Sequence, residues 1–460
     1  MRLKQHRWYI GEGGIGEMLT LALPMITATA CDGIMTFTDR FFLANISPEL
    51  MNAAMAGGVM VQTLMFFFIG LIGYSTAMVA QYLGAGRKGM CSVVAFQAIV
   101  ISILAVPFIM MLKPVGIFFI NNGHIPIEQS GFQIVYYSIL INGVILSLVR
   151  NALSCYFSGI GRTNVVMIAT LVALVVNILL DYILIFGHFG FPALGIRGAA
   201  YATLSGSFFS VVIMLVAYFS RWNMIRYSVE KSFRINFQVI KQMLWYGFPA
   251  GLEFFLNFMA FSMMIMIFHS QGNIVATAST IMFNWDLISY IPLMGIEIAV
   301  TSLAGRYIGA GKPDIAHRSA KSAIFIGIFY SLVVFVFFVF FPEQLVRVFS
   351  ADVKDVVFEQ SVPLAVTMIR LASLYVFAQA IMVALIGTLR GAGDTHFTMI
   401  LSVSANWILV PVLYLIMNVI GLSPAVGWFA LVIVFLCFCF ALYQRFKKGK
   451  WKQLNVINRF

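Results

Sequence analysis

The chain has 460 residues, of which 61% are hydrophobic and only 10% charged, against roughly 25% charged in a typical soluble domain. So few polar side chains cannot cover a water-soluble globule, which excludes a soluble enzyme, a large extracellular domain and a disordered scaffold. The net charge is +12, from 29 basic and 17 acidic residues, and it is scattered between apolar runs rather than gathered into a nucleic-acid-binding patch. The bilayer is the solvent this composition fits. At about 20 apolar residues per spanning helix, the length holds on the order of a dozen spans.

From the N-terminus, MRLKQHRWYI lacks the pattern of a removed signal peptide, so insertion is expected to start from the first span. Apolar runs broken by Gly, Pro and charge clusters mark twelve spans: 19–42, 55–82, 92–112, 132–156, 165–187, 198–220, 244–268, 276–308, 319–341, 364–388, 396–419 and 425–444. The second and eighth are long, which predicts tilt or extension past the bilayer. Cys31, Cys91, Cys155, Cys437 and Cys439 show no paired loop spacing and read as ordinary membrane-helix residues.

Basic residues fall unevenly. One side collects Arg2, Lys4 and Arg7, the C-terminal set from Arg445 to Arg459, and the loops after even-numbered spans, from Arg87 and Lys88 to Arg390. The other side has Arg40, Lys113, Arg197, Arg347 and Lys354, while Arg150 and Arg370 lie within or at the edge of spans. The asymmetry predicts both termini in the cytoplasm of a multi-pass protein of the cell (inner) membrane.

The chain repeats itself. QYLGAGRKG (81–89) after span 2 matches RYIGAGKPD (306–314) after span 8, and LALPMI (21–26) matches YGFPAG (246–251) at the same offset through Pro24 and Pro249. FSGIGRT (157–163) and LRGAGDT (389–395) make a third pair in the same order. Two parallel six-helix lobes follow, 1–220 and 244–460, joined by a basic linker, 221–243. Such halves rocking around a central cleft can expose one site alternately to each side. No filter-like segment argues for a channel.

Six carboxylates fall in spans: Asp32, Asp39, Asp181, Glu253, Asp286 and Glu297. An ionised group at mid-bilayer costs at least ~2.5–3.5 kcal/mol, so each is a candidate functional residue. Asp32 and Asp39 are seven apart and share a face of span 1, although Asp39 and Arg40 could instead mark the interface. Asn177 and Asp181 share a face of span 5. Span 6 offers Thr203 and Ser205 beside the small-residue stretch GIRGAAYAT, which eases close helix approach. Two carboxylates, an amide oxygen and a hydroxyl make a hard-oxygen nest for Na⁺, or for a proton that two acids share because both cannot cheaply ionise in low dielectric.

The second half has its own polar set. Glu253 and Asn257 are one turn apart in span 7, and Asp286 and Glu297 lie on one face of span 8, with Pro292 between them freeing a carbonyl. Glu297 is open to pairing with Arg370. Asn284 and Gln379 are commonplace polar residues. The 44 Phe and 26 Met serve as lipid-facing filler or as walls of a cavity for lipophilic cations. No Walker A motif and no metal-binding His cluster occurs, so neither enzymatic activity nor a resident cofactor is expected.

With LALPMI, FTDRFFLANI, AMVAQYLGAGRKG, NILLDYILI, GIRGAAYAT and GTLRGAGDT in this order, the chain resembles the multidrug and toxic compound extrusion (MATE) transporters over nearly its whole length. The resemblance implies an all-α polytopic fold of twelve transmembrane helices in two pseudo-symmetric lobes, a V-shaped outward-facing form, a monomer, and antiport of drug-like cations against H⁺ or Na⁺. It assigns cation coupling to Asp39, Asn177, Asp181 and Thr203. Some relatives use acids of spans 7 and 10 instead; here span 10 carries Gln379, and the span 7 acid is shifted one turn to Glu253, with Asn257 near the usual place. This departure favours coupling in the first half, and Asp286 and Glu297 lie outside the family pattern; from their place in the spans, Asp32, Glu253, Asn257, Asp286, Glu297 and Gln379 are expected to contact substrate or to act as secondary coupling groups. Charge neutralisation is expected to let span 1 bend or repack, with Pro24 as hinge. Two other readings compete: a flippase for a lipid-linked saccharide, which would want a basic cavity, and a non-transport membrane protein, which would want a catalytic cluster.

Overall fold

The computed structural model describes residues 11–122, 126–350, 356–454 and 456–457. Arg2, Lys4, Arg7, Lys354 and Arg459 of the charge count lie outside them. Among the described residues, ten helices are long and apolar enough to cross a bilayer, and two bent pairs bring the total to twelve. Spans 1 to 6 are Ile15–Ala44, Pro48–Gly84, Lys88–Asn121, the pair Ile127–Asn142 and Val144–Gly159, Thr163–Phe186, and Ile196–Tyr218. Spans 7 to 12 are Phe237–His269, Asn273–Gly309, Pro313–Phe340, the pair Val356–Ala372 and Val376–Ala392, Thr395–Val419, and Pro424–Lys447.

The twelve apolar runs thus all become spans, most of them longer than hydropathy alone delimits. The extensions mix polar residues with apolar ones, as in KPVGIFFIN (113–121) of span 3, and keep backbone hydrogen bonding inside the helix. Span 4 bends by 47° at Gly143, where a Cβ would overlap the Leu204 side chain. Span 10 bends by 48°, where Ser373 donates its hydroxyl to the Arg370 carbonyl at 2.6 Å, a bond that competes with the helix ladder.

The segment 221–243 is not a plain linker. It contains a short helix, Arg221–Tyr227, a 3-10 turn, Val229–Ser232, and the first turns of span 7. Ser92 donates to the Tyr227 carbonyl at 2.8 Å, and Gln97 donates to the Arg234 carbonyl at 2.9 Å. The linker is therefore strapped to span 3 of the first half.

The two halves meet at the face that carries the ends of the chain. Gln81 donates to the Gly391 carbonyl at 2.8 Å, Tyr82 to Gln242 at 3.1 Å, Ser302 to the Ser158 carbonyl at 2.6 Å, and Tyr307 to Glu17 at 2.6 Å. Glycines let the backbones touch there. A Cβ on Gly84 would overlap the Arg306 carbonyl oxygen, and one on Gly309 would overlap that of Gln81. A Cβ on Gly70 would lie 2.7 Å from the Ala250 carbonyl oxygen, and one on Gly295 2.6 Å from the Ile26 nitrogen. The first pair obeys the sequence repeat on both sides, 84 corresponding to 309 and 81 to 306; in the second, 70 corresponds to 295 and the partners 26 and 250 differ from the repeat by one residue.

The C-terminal segment crosses this junction. Trp451 is fully buried in the cluster of the second half, against Phe446 and His317. Val456 and Ile457 join the cluster of the first half, and the Val456 carbonyl accepts from Gln242 at 3.5 Å.

Candidate functional site

A cavity of about 530 Å³ lies between the halves. It runs from Arg390 and Thr76, near the face carrying the chain ends, to Arg40, Ala54 and Tyr136, near the opposite face. Met25, Met35, Met65, Phe66, Phe254 and Met294 supply its apolar wall.

One wall holds four of the expected residues together. Asp39 is 4% exposed. Asn177 donates to its Oδ1 at 2.9 Å, and Thr203 to its Oδ2 at 2.7 Å. Asp181 is fully buried near Asp39. Neither Asp181 oxygen receives a hydrogen bond, and neither does the Asn177 carbonyl oxygen. Such buried, undonated oxygens are costly unless a proton or a cation satisfies them. The wall forms because spans 5 and 6 pack backbone to backbone: a Cβ on Gly206 would lie 2.9 Å from the Ala173 carbonyl oxygen, and one on Gly198 2.7 Å from that of Leu184. This brings Thr203 to Asp39, whereas Ser205 is half-buried and bonds its own helix at the Tyr201 carbonyl. The interfacial alternative for Asp39 fails, since the side chain is buried and its two bonds go inward.

The other acids occupy separate places. Arg150 donates to Asp32 at 2.8 Å on the cavity surface. Glu297 does not pair with Arg370: it binds Arg390, which also binds Glu253 at 3.0 Å. Arg390, expected in a loop, is thus within the helix of span 10 and lines the cavity, as does Arg40 of span 1. The span 10 helix extends past its apolar run, which is why charge counting put Arg390 in a loop; Arg40 lies within the run 19–42, near its end. Asn257 does not join Glu253; it donates to Ser402 at 2.7 Å and accepts from Asn406 at 3.2 Å. Asp286 accepts from Tyr375 at 2.9 Å and from Gln379 at 3.1 Å, a set separate from that of Glu297 although both acids are in span 8. Asn284 donates to the Thr280 carbonyl of its own helix at 2.8 Å.

Sequence reasoning missed Tyr136, buried beside Thr203, Asp39 and Asp181; a tyrosine in an apolar run carries no spacing signal. It also undercounted positive charge. Asp32, Asp39 and Glu297 face the cavity, but so do Arg40, Arg150 and Arg390.

The model of the MatE family matches residues 24–183 and 249–415, once on each half. A probable multidrug resistance protein NorM of Thermotoga maritima is 26% identical over 96% of this chain and 94% of its own. The multidrug resistance protein PmpM of Pseudomonas aeruginosa is 26% identical over 85% of this chain and 81% of its own. Among solved structures, an outward-facing multidrug resistance MATE family transporter of the MOP superfamily superposes with a TM-score of 0.84 at 20% identity, covering 96% of this chain and 97% of that one. A MATE in complex with MaL6 gives 0.86 at 20% identity, covering 97% and 99%. Carrying the family model on both of its six-helix halves, this membrane-embedded chain belongs to the MatE family of transporters.

Proposed function

We propose that this transporter expels lipophilic, drug-like compounds by alternating access, in exchange for H⁺ or Na⁺ taken up at Asp39, Asn177, Asp181 and Thr203. The observation that carries this reading is the pair of buried carboxylates, one fully donated to and the other not at all, on the wall of a cavity shared by both halves. Multidrug names among relatives across nearly the full length support the cargo class.

With the chain ends in the cytoplasm, a reading that the uneven basic residues support, the sealed face is inner and the cavity opens outward. A proton or Na⁺ entering from outside neutralises Asp181 and lowers the charge of the four-residue set from −2 to −1. Neutralisation loosens the hold of Asp39 on Asn177 and Thr203, so span 1 repacks and the cavity loses affinity for cargo. Exchange requires that cation and cargo each bind the two states differently. Span 1 is the suitable lever, because it carries Asp39, runs through Pro24, and packs through Met18 and Ala22 against the second half. One chain suffices for this cycle, and no resident cofactor enters it.

The cargo need not be purely cationic. Three guanidinium groups and three carboxylates face the cavity, so cationic and charge-balanced amphipathic compounds both find partners. A flippase for a diphosphate-linked lipid is disfavoured, because Arg150 and Arg390 are already neutralised by Asp32, Glu253 and Glu297.

The test is ethidium export by proteoliposomes under separately imposed pH and Na⁺ gradients. The wild type should respond to one of them, and Asp39→Asn and Asp181→Asn should each remove that response with insertion intact. Near-normal gradient-driven export by both variants would overturn the reading.

A further inference from the structure

A second recess, of about 540 Å³, lies on the face carrying the chain ends, away from the central cavity. One wall is the turn after span 2, with Arg87, Lys88 and Met90; the other is the linker, with Arg226, Ser228 and Lys231. All four basic side chains are exposed. Among the described residues, no carboxylate forms an ion pair with any of them; Glu230, the acid of this segment, is exposed and likewise forms none.

We propose that this recess binds the anionic headgroup of a membrane phospholipid. Four positive charges converging from two chain segments onto one concavity match a phosphate-bearing headgroup. The surroundings point to a lipid rather than to a soluble anion. The short helix Arg221–Tyr227 buries Asn223 and Tyr227 but leaves Ile225 82% and Trp222 45% exposed, and Phe233 beyond it is 48% exposed. The Trp222 ring carries the guanidinium groups of Arg162 at 4.3 Å and Arg226 at 5.0 Å. Aromatic rings stacked with cations beside bare aliphatic side chains fit the headgroup level of a bilayer, where acyl chains cover the apolar part. The occupant would bridge the first half to the linker that leads into span 7, because Arg87 and Lys88 belong to one and Arg226 and Lys231 to the other. This site goes beyond the export reading and does not depend on it.

The test uses the full-length protein in neutral detergent, titrated with short-chain phosphatidylglycerol, with short-chain phosphatidylcholine and with inorganic phosphate, bound lipid being counted by native mass spectrometry. Saturable binding of phosphatidylglycerol is expected, with phosphatidylcholine at least tenfold weaker. Arg226→Gln with Lys231→Gln should weaken it at least tenfold, and so should Arg87→Gln with Lys88→Gln on the other wall, which guards against misfolding of either pair. Lys448→Gln with Lys450→Gln, basic but outside the recess, should leave it unchanged. Equal losses in all three double variants would reduce the effect to general charge and overturn the proposal. Phosphate binding as tightly as phosphatidylglycerol would also overturn it, in favour of a soluble anion.

Discussion

Asn177 donates one amide hydrogen to Asp39, while its own carbonyl oxygen and both oxygens of Asp181, one helical turn further along span 5, receive none. The two carboxylates are therefore unequal. Asp39 is held by span 5 and span 6, and Asp181 accepts no hydrogen bond from either.

That inequality separates two variants. Asp181→Asn should reduce gradient-driven export at least tenfold while leaving cargo binding within a few-fold, because the amide cannot take up the ion. Asp39→Asn should reduce both, because it also disturbs the contacts with Asn177 and Thr203. Binding of a fluorescent cation measured beside transport distinguishes the two outcomes.

Arg390 is shared by Glu253, which is 2% exposed, and Glu297. Removing a guanidinium from such a buried cluster costs about 3–5 kcal/mol, because the acids lose their counter-charge. Arg390→Gln should lower the unfolding midpoint markedly. Adding Glu253→Gln and Glu297→Gln should recover most of the loss, as read by thermal unfolding in detergent.

Arg150 and Asp32 form the pair most open to cargo. Arg150→Gln leaves Asp32 without its partner on the cavity surface. The apparent KM for a monovalent cationic dye should fall severalfold, and that for a zwitterionic compound should rise, in paired uptake assays with everted vesicles.

Gly84 and Gly309 predict a steric test of closure. Gly84→Leu and Gly309→Leu should each open the sealed face, because each meets backbone that cannot yield. Transport should fall by similar amounts in both, and hydrogen exchange should rise in segments 77–86 and 302–311.

Much of this was legible in the sequence. Hydropathy and the 225-residue repeat located all twelve spans and both halves, since the bilayer demands long apolar helices and the repeat preserves spacing. Asp39, Asn177, Asp181 and Thr203 were legible because acids are costly in a membrane and a turn's spacing puts them on one face. Arg390 was not, because its helix extends beyond the apolar run that hydropathy detects. The partner of Glu297 was lost with it. Asn257 next to Ser402 and Asn406, and Tyr136 next to Thr203, depend on which faces neighbouring spans present, and no single helix encodes that.

The tail from Trp451 to Ile457 begins in one bundle and ends in the other. If the bundles part at this face in each cycle, Val456 must slip from its seat beside Gly393, Tyr74 and Tyr246, or the tail must stretch. Trp451, Val456 and Ile457 thus pin one bundle to the other, and their seats must give before this face can part.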